Sequence, residues 1–422
     1  MKTRQTLLSS SLLLTVALCL AGPAHALVAT PDLFGFDFRF NNPGARANAM
    51  GGAFIGLADD ATAAYTNPAG LTVLTRPEVS AEYKQGTYTT VITDMLPENS
   101  EYDSHTGGLS FLSFAYPQEK ATITIFRHNM INSEVDFNFS DPPAKLYHNQ
   151  CSFKLRGITY GMGVGYKLFD QLSLGLAVNS TQLDYLSTST GYNNDPLSGN
   201  DHPQNIDNVS RASGSSTDEH FTLSLLWNVV SNLNLGLTYR QGPEYTFSFN
   251  RWNWEGIASG YSTEPAVDQD LKVPDVYGVG LSYSLPMGLT ISGDATLIKY
   301  SQLFSDILWE VNSSNPRLYA TNNDFYVDDE WEYHFGLEYV FDLAQTPVAL
   351  RGGYYYRPTY YFKYRGTDFT SDFATNDWTR DADNIFTAGL GVVLGENVQL
   401  DLAGLFGDYT TEGIFSLVYR LK

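Results

Sequence analysis

Cysteine is nearly absent from this chain of 422 residues. Of the two present, Cys19 falls in an apolar N-terminal stretch and Cys151 stands alone, so no disulfide within the mature chain and no cysteine metal cluster is available. Beyond that stretch no run of about eighteen or more apolar residues occurs, which excludes a membrane-crossing helix. Basic charge is also scarce. With 25 Lys and Arg against 46 Asp and Glu, the net charge is -21, and such a chain has no basic face to offer nucleic acid phosphates. His105, His128, His148, His202, His220 and His334 are scattered without metal-ligand spacing. No motif gathers a Ser/His/acid set, and His334 reads as a buried, paired histidine rather than a catalytic one. The expectation is a protein without cofactor, metal or catalytic residues.

The first residues read as a processing signal. Lys2 and Arg4 give a positive start, residues 12–20 an apolar core, and Ala24-His25-Ala26 a small-x-small cleavage site. Leu18 is too large for the position before a lipid-carrying cysteine, so Cys19 is not read as a lipidation site. The domain expectation is a signal over 1–26, an irregular segment over 27–76 and a β domain over 77–422. An exported chain without an apolar helix is either secreted or an outer-membrane barrel. Aromatic content of 14%, with 28 Tyr, favours the barrel, because Tyr and Trp populate both membrane interfaces.

From residue 79 onward the pattern is fourteen strands of about ten residues, the length a tilted membrane strand needs. Even-numbered connections are tight, at residues 117–120, 169–171, 231–232, 286–288, 342–346 and 395–397; odd-numbered ones are mostly long and polar, such as 183–217 and 245–272. Short turns all at one end and long loops at the other describe an outer-membrane barrel. Successive side chains of a strand face opposite ways. Leu172, Leu174, Leu176 and Val178 therefore share one face, and Ser173, Gly175, Ala177 and Asn179 the other. Trp331, Tyr333, Phe335, Leu337, Tyr339 and Phe341 likewise oppose Glu332, His334 and Glu338. The oily face belongs to lipid and the charged face to a lumen. The fold expected is an all-β, fourteen-stranded antiparallel transmembrane barrel, wider than its own side chains can fill. Gly161, Gly163 and Gly165 alternate with Tyr160, Met162 and Val164, so these glycines make room on the lumen side and form no nucleotide loop.

Residues 27–76 do not alternate. Residues 44–53 are small and compact, residues 55–65 suit short helical turns, and Asn67-Pro68-Ala69-Gly70 breaks the chain. Irregular backbone at membrane depth is tolerated only inside protein or cavity water, so this segment is a natural plug. Gly44-Ala45-Arg46, Ala49-Met50-Gly51-Gly52-Ala53, Ala58-Asp59-Asp60-Ala61 and Asn67-Pro68-Ala69 resemble the hatch of the FadL/TodX-type outer-membrane transporters of long-chain fatty acids and aromatic hydrocarbons. Weaker echoes are Lys272-Val273-Pro274-Asp275 and Leu350-Arg351-Gly352-Gly353-Tyr354. The resemblance spans essentially the whole mature chain. It implies a hatch-closed barrel that captures a hydrophobic ligand outside and releases it sideways through a gap in the wall. It also implies that Asn67, Pro68 and Ala69 shape the hatch beside a kinked strand, in a gating role; the same residues also read as an ordinary structural turn. One departure is the C-terminus, Tyr419-Arg420-Leu421-Lys422, where such barrels usually end on an aromatic residue.

Candidate ligand-binding residues are Phe34, Phe36, Phe38 and Phe40, with Arg39 between them. They read equally as an aromatic lining or as a strand packed against the barrel interior, since apolar pockets and apolar cores use the same residues. Arg39, Arg46 and Lys84 are available to a carboxylate. Asp59-Asp60 reads as a helix cap or arginine partner, and the apolar island from Leu303 to Trp309 as a capture surface or a packed loop helix. The partners expected are a fatty acid or aromatic hydrocarbon, outer-membrane lipid and lipopolysaccharide, with no nucleic acid, for a monomer in a Gram-negative outer membrane. The alternative is a barrel of the same type serving as partner or anchor in surface protein export; an open general porin is opposed by the plug. If the aromatic run lines the ligand site, Phe36→Asp or Phe38→Asp abolishes uptake while heat-modifiable gel migration stays that of the folded barrel.

Overall fold

The computed structural model describes residues 43–92, 100–140, 147–193, 206–254, 261–304, 325–360, 363–364 and 382–422. Fourteen strands close on themselves. In chain order they are β1 (Glu78–Ile92), β2 (Ser100–Pro117), β3 (Ala121–Ser140), β4 (Tyr147–Phe169), β5 (Leu172–Asn193), β6 (Ile206–Val230) and β7 (Leu233–Arg240). After β8 (Glu244–Trp254) and β9 (Tyr261–Lys272), the wall resumes with β10 (Val276–Ser284) and β11 (Leu289–Ile298). The 2-residue strands β12 (Phe325–Tyr326) and β15 (Lys363–Tyr364) pair only with each other. Between and after them run β13 (Glu330–Leu343), β14 (Thr346–Arg357), β16 (Asp383–Leu394), β17 (Val398–Phe406) and β18 (Thr410–Arg420). Each wall strand pairs antiparallel with its neighbours, and β1 meets β18 from Glu78↔Arg420 to Tyr88↔Thr410. Closure leaves no edge strand to satisfy in lipid.

The tight turns fall where the sequence puts them, at one end of the barrel. Ala344 and Gln345 both take positive φ, 50° and 68°, as a two-residue hairpin turn requires, and Gly395 and Gly288 do the same in theirs. The long connections differ from expectation. Residues 183–217 are not a loop: β5 and β6 pair through them as far as Tyr192↔Ile206. Residues 245–272 likewise contain the hairpin β8–β9, whose first strand docks on β6 at Val209↔Trp254 to Ser213↔Asn250. With 20, 23, 22 and 25 residues, β3 to β6 far outrun the membrane and carry the wall outward. Polar composition disguised them, because above the bilayer the outward face meets water in place of lipid and loses its oily residues.

Two exposed aromatic belts mark the bilayer. Tyr116, Tyr166, Trp227, Tyr283, Tyr339 and Tyr419 form the inner belt; Tyr83, Tyr160, Tyr277, Tyr333, Phe386 and Phe406 form the outer. The six-residue step from Tyr166 to Tyr160 spans about 20 Å of strand, or about 15 Å of height at a tilt near 40°, which fits inside an apolar band of about 25 Å.

The lumen is filled by the chain before β1. Helices α1 (Ala45–Ala49) and α2 (Ala63–Thr66) and a 3-10 turn (Pro68–Val73) are almost wholly buried. Lumen-facing glycines on successive strands cut the groove in which this backbone lies. A Cβ on Gly336 would come within 2.5 Å of the Met50 carbonyl oxygen, one on Gly280 within 2.6 Å of the Gly56 nitrogen, and one on Gly165 within 2.6 Å of the Pro68 carbonyl oxygen. Cβ atoms on Gly353, Gly236 and Gly175 would run into Gly51, Ile55 and Ala69. These contacts are with backbone, which cannot swing aside as a side-chain tip can. Gly236→Val or Gly175→Val should therefore expel the hatch while the barrel still assembles. Hydrogen exchange would show residues 45–66 losing protection and the wall strands keeping theirs.

Candidate functional site: the hatch and the β2–β3 seam

Backbone polar groups of the hatch find partners around the wall. Asp294 of β11 accepts from the amides of Phe54 and Ile55, both at 2.7 Å. Ser282 donates to the Gly56 carbonyl at 2.8 Å and Thr238 to that of Thr66 at 3.1 Å. His334 Nδ1 lies 2.7 Å from the Gly51 carbonyl, and Thr387 donates to Ala49 at 2.8 Å. His334 is thus a hatch anchor, half-buried, with Glu332 at 3.6 Å on its other nitrogen.

A charged cluster ties the same segment down. Glu338 accepts from Arg46 Nε and Nη2, each at 2.8 Å, and from Arg351 at 2.7 Å; Arg351 then reaches Asp401 at 2.7 Å. Arg46 also pairs with Asp59. Burial alone would depress Arg46, but Asp59, Glu338 and Asp60 outweigh it and hold the guanidinium firmly charged. The Asp59-Asp60 pair is accordingly an arginine partner. Lys84, considered as a carboxylate reader, is taken by Glu412 at 3.3 Å.

Asn67, Pro68 and Ala69 form the entry to the 3-10 turn. The Asn67 side chain accepts from the Ala69 amide at 3.2 Å and donates to the Ile55 and Leu225 carbonyls at 2.8 and 3.3 Å. Ala69 also donates to Ser224 at 2.9 Å. The turn lies chiefly against β4, β5 and β6. It also touches β2 and β3, and Tyr65, a little earlier in the chain, reaches Phe126 and His128 of β3. Phe34, Phe36, Phe38, Phe40 and Arg39 lie outside the described residues. Of the apolar island, Leu303 is buried in the outer cluster, and residues 305–309 also lie outside the described residues.

The wall is interrupted beside Tyr65. Strands β2 and β3 pair only from Pro117↔Thr122 to Phe111↔His128. Beyond that point β2 continues upward paired to β1, and β3 continues paired to β4. Among the described residues no pairing joins the two strands above Phe111 and His128. Each lip carries a register shift: β2 against β1 at Glu82/Tyr83, leaving Ser110 extra, and β3 against β4 at Asn129/Ile131, leaving Met130 extra. Such bulges bend a strand and sharpen its twist, so the lips diverge. The last pair below the opening, Phe111↔His128, is one residue above Arg127, which pairs with Tyr160 of the outer belt. The opening therefore starts at the level of the outer belt.

Aromatic rings line its base. The Tyr65 ring lies 4.2 Å from His128 and 6.2 Å from Phe126, with Phe111 stacked 6.0 Å from Phe126. Arg240 sits 4.6 Å from the Tyr65 centroid on the lumen side, close enough for a cation–π contact. Above, Met130 and Ile131 of the β3 lip join a second apolar cluster with Leu155, Leu183, Tyr245 and Val276. Two buried apolar clusters, one built on the hatch and one above it, thus adjoin the seam. None of these residues stood out in the sequence; Gly107-Gly108, adjacent glycines inside a strand, were the available sign of a bulge.

Comparison with known proteins decides the family. The family model described as outer membrane protein transport protein (OMPP1/FadL/TodX) matches residues 35–403. The chain belongs to this family. It is an outer-membrane transport barrel of the Gram-negative type and not an enzyme. Solved structures with the same fold include the toluene transporter TbuX of Ralstonia pickettii, at 14% identity over 92% of this chain and 100% of that one, TM-score 0.60. Others are the toluene transporter TodX of P. putida, at 13% over 91% and 99%, TM-score 0.60, and a FadL homologue of Pseudomonas aeruginosa, at 13% over 90% and 98%, TM-score 0.63. No curated protein matches the chain in sequence.

Removing one partner of a buried ion pair leaves the others desolvated and unpaired, at a cost of about 3–5 kcal/mol. Glu338→Gln should therefore loosen the hatch. The check is protease sensitivity of residues 45–66 and entry of a large antibiotic that the wild-type barrel excludes.

Proposed function

We propose that this barrel takes up hydrophobic small molecules passively, long-chain fatty acids foremost and aromatic hydrocarbons second. The ligand is captured outside, held against the hatch of residues 27–76 and released sideways into lipid. The observation that carries this reading is the interrupted β2–β3 ladder beside Tyr65. A porin for polar solutes needs an open lumen and an unbroken wall, whereas here buried hatch backbone fills the lumen and the wall parts at the level of the outer belt. Apolar solutes gain nothing from a water-filled pore. A surface lined by Tyr65, Phe111, Phe126, Met130 and Ile131 offers them a favourable site with direct access to acyl chains. The toluene transporters that share the fold support the aromatic class; the fatty-acid class rests on the resemblance of the hatch. Phe34 to Phe40 and Arg39 would extend this lining from the N-terminal side, with Asn67, Pro68 and Ala69 holding the hatch at its working height.

Bridging the lips tests the lateral route. With Leu109→Cys and Asn129→Cys joined by a short bis-maleimide, uptake of both oleate and toluene should fall to the level of cells lacking the protein. The same double variant without the bridge should transport. Unchanged uptake by the bridged barrel means that the ligand leaves by another path.

A further inference from the structure

At the lower lip of the seam stands an arginine whose surroundings differ from those of the lumen cations. Arg127 lies on the outward face of β3, the face of Ile123 and Ile125, which are 51% and 52% exposed. It pairs in register with Leu112 of β2 and Tyr160 of β4, both exposed to lipid. Its Nη1 donates to the Leu109 carbonyl, beyond the end of the β2–β3 ladder, and its Nη2 to Asn129 Oδ1 at 2.8 Å. The Tyr160 hydroxyl and the Arg156 guanidinium are further neighbours. Both acceptors that bond Arg127 are neutral, and among the described residues no carboxylate forms an ion pair with it. Arg46, Lys84, Arg351, Arg357 and Arg420 all meet a carboxylate.

A guanidinium in the outer belt is tolerated by lipid, yet in a chain so rich in acid no carboxylate among the described residues pairs with it. Two of its five N–H donors are spent on Leu109 and Asn129, which fix the plane of the group across the foot of the opening; others stay available for a planar, two-oxygen acceptor. The apolar residues at the same opening, Leu109, Ile125 and Met130, suit the hydrocarbon part of an amphiphile. We propose that Arg127 is a binding residue at the lateral opening that receives the carboxylate of an acyl-chain ligand as it passes between lumen and lipid. This rests on the transport reading above and narrows it: the ligand class is a hydrophobic carboxylate, and an unsubstituted hydrocarbon makes no use of this residue.

The test compares two ligands on one barrel. Cells expressing the full chain are assayed for radiolabelled oleate and toluene uptake, with Arg127→Gln, which can still donate to Leu109, and Arg127→Met. Correct assembly is checked by heat-modifiable migration. The expected result is loss of oleate uptake by about tenfold in both variants, the worth of a charge-assisted hydrogen bond, with toluene uptake within twofold of wild type. An equal fall for both ligands overturns the proposal and makes Arg127 a strut that holds the lips. No change for either also overturns it, leaving the guanidinium to lipid phosphate. A wild-type barrel that takes up toluene alone sinks the carboxylate assignment and leaves transport standing; one that takes up neither sinks transport itself. Should neither variant assemble, oleate competition against phenylglyoxal labelling of Arg127 in the wild-type barrel decides, and absence of protection refutes the proposal.

Discussion

Lipid cannot hydrogen-bond a peptide group, and this constraint organises the molecule from its topology down to single side chains. It requires fourteen strands to close from β1 to β18, and it makes any break in the ladder expensive. The β2–β3 seam is such a break. The chain confines it to the outer end of the bilayer, lets each lip pair with its other neighbour, and brings the Arg127 guanidinium to the Leu109 carbonyl that the ladder leaves behind. A gap built this way is local. Below Phe111 and His128 the ladder is intact, so the barrel keeps its strength where the membrane is driest.

The hatch obeys the same rule from the inside. Its backbone has little regular structure to satisfy its own amides and carbonyls, so lumen side chains from many strands do so, among them Asp294, Ser282, Thr238 and Thr387. Such bonds need close approach, and close approach needs glycine on the wall. The glycines and the hydroxyl and carboxylate residues therefore work as one device: the first let the hatch in, and the second hold it. The Arg46–Glu338–Arg351–Asp401 cluster adds charge pairing that would be weak in water and is strong when desolvated, provided every member is present. A hatch held at so many points does not swing out as a door. The seam lies at its edge, where Tyr65 leans on His128.

Strand count, barrel closure, turn positions and the plug were all legible from residues alone. Period-two alternation is a local property, imposed on each strand separately by lipid outside and water or hatch inside. Legibility failed where that contrast vanished. Residues 183–217 read as a loop because above the membrane the outward face meets water in place of lipid, so the oily-polar alternation fades. The role of Asn67, Pro68 and Ala69 as a turn followed from their chemistry, but which strands they touch did not.

What the sequence by itself determined is the kind of object: an acidic, aromatic-belted barrel with a compact N-terminal insert. Each of those properties sums over short-range preferences and needs no partner to be specified. Only the tertiary structure decided where the wall opens and what stands there. The seam arises from two one-residue bulges, on strands that are neighbours in space, and its meaning comes from Tyr65, about 60 residues away, and Arg127 on the opposite lip. A one-residue shift changes no composition and no periodicity outside its own position, so it becomes visible only once both strands are in register with their neighbours.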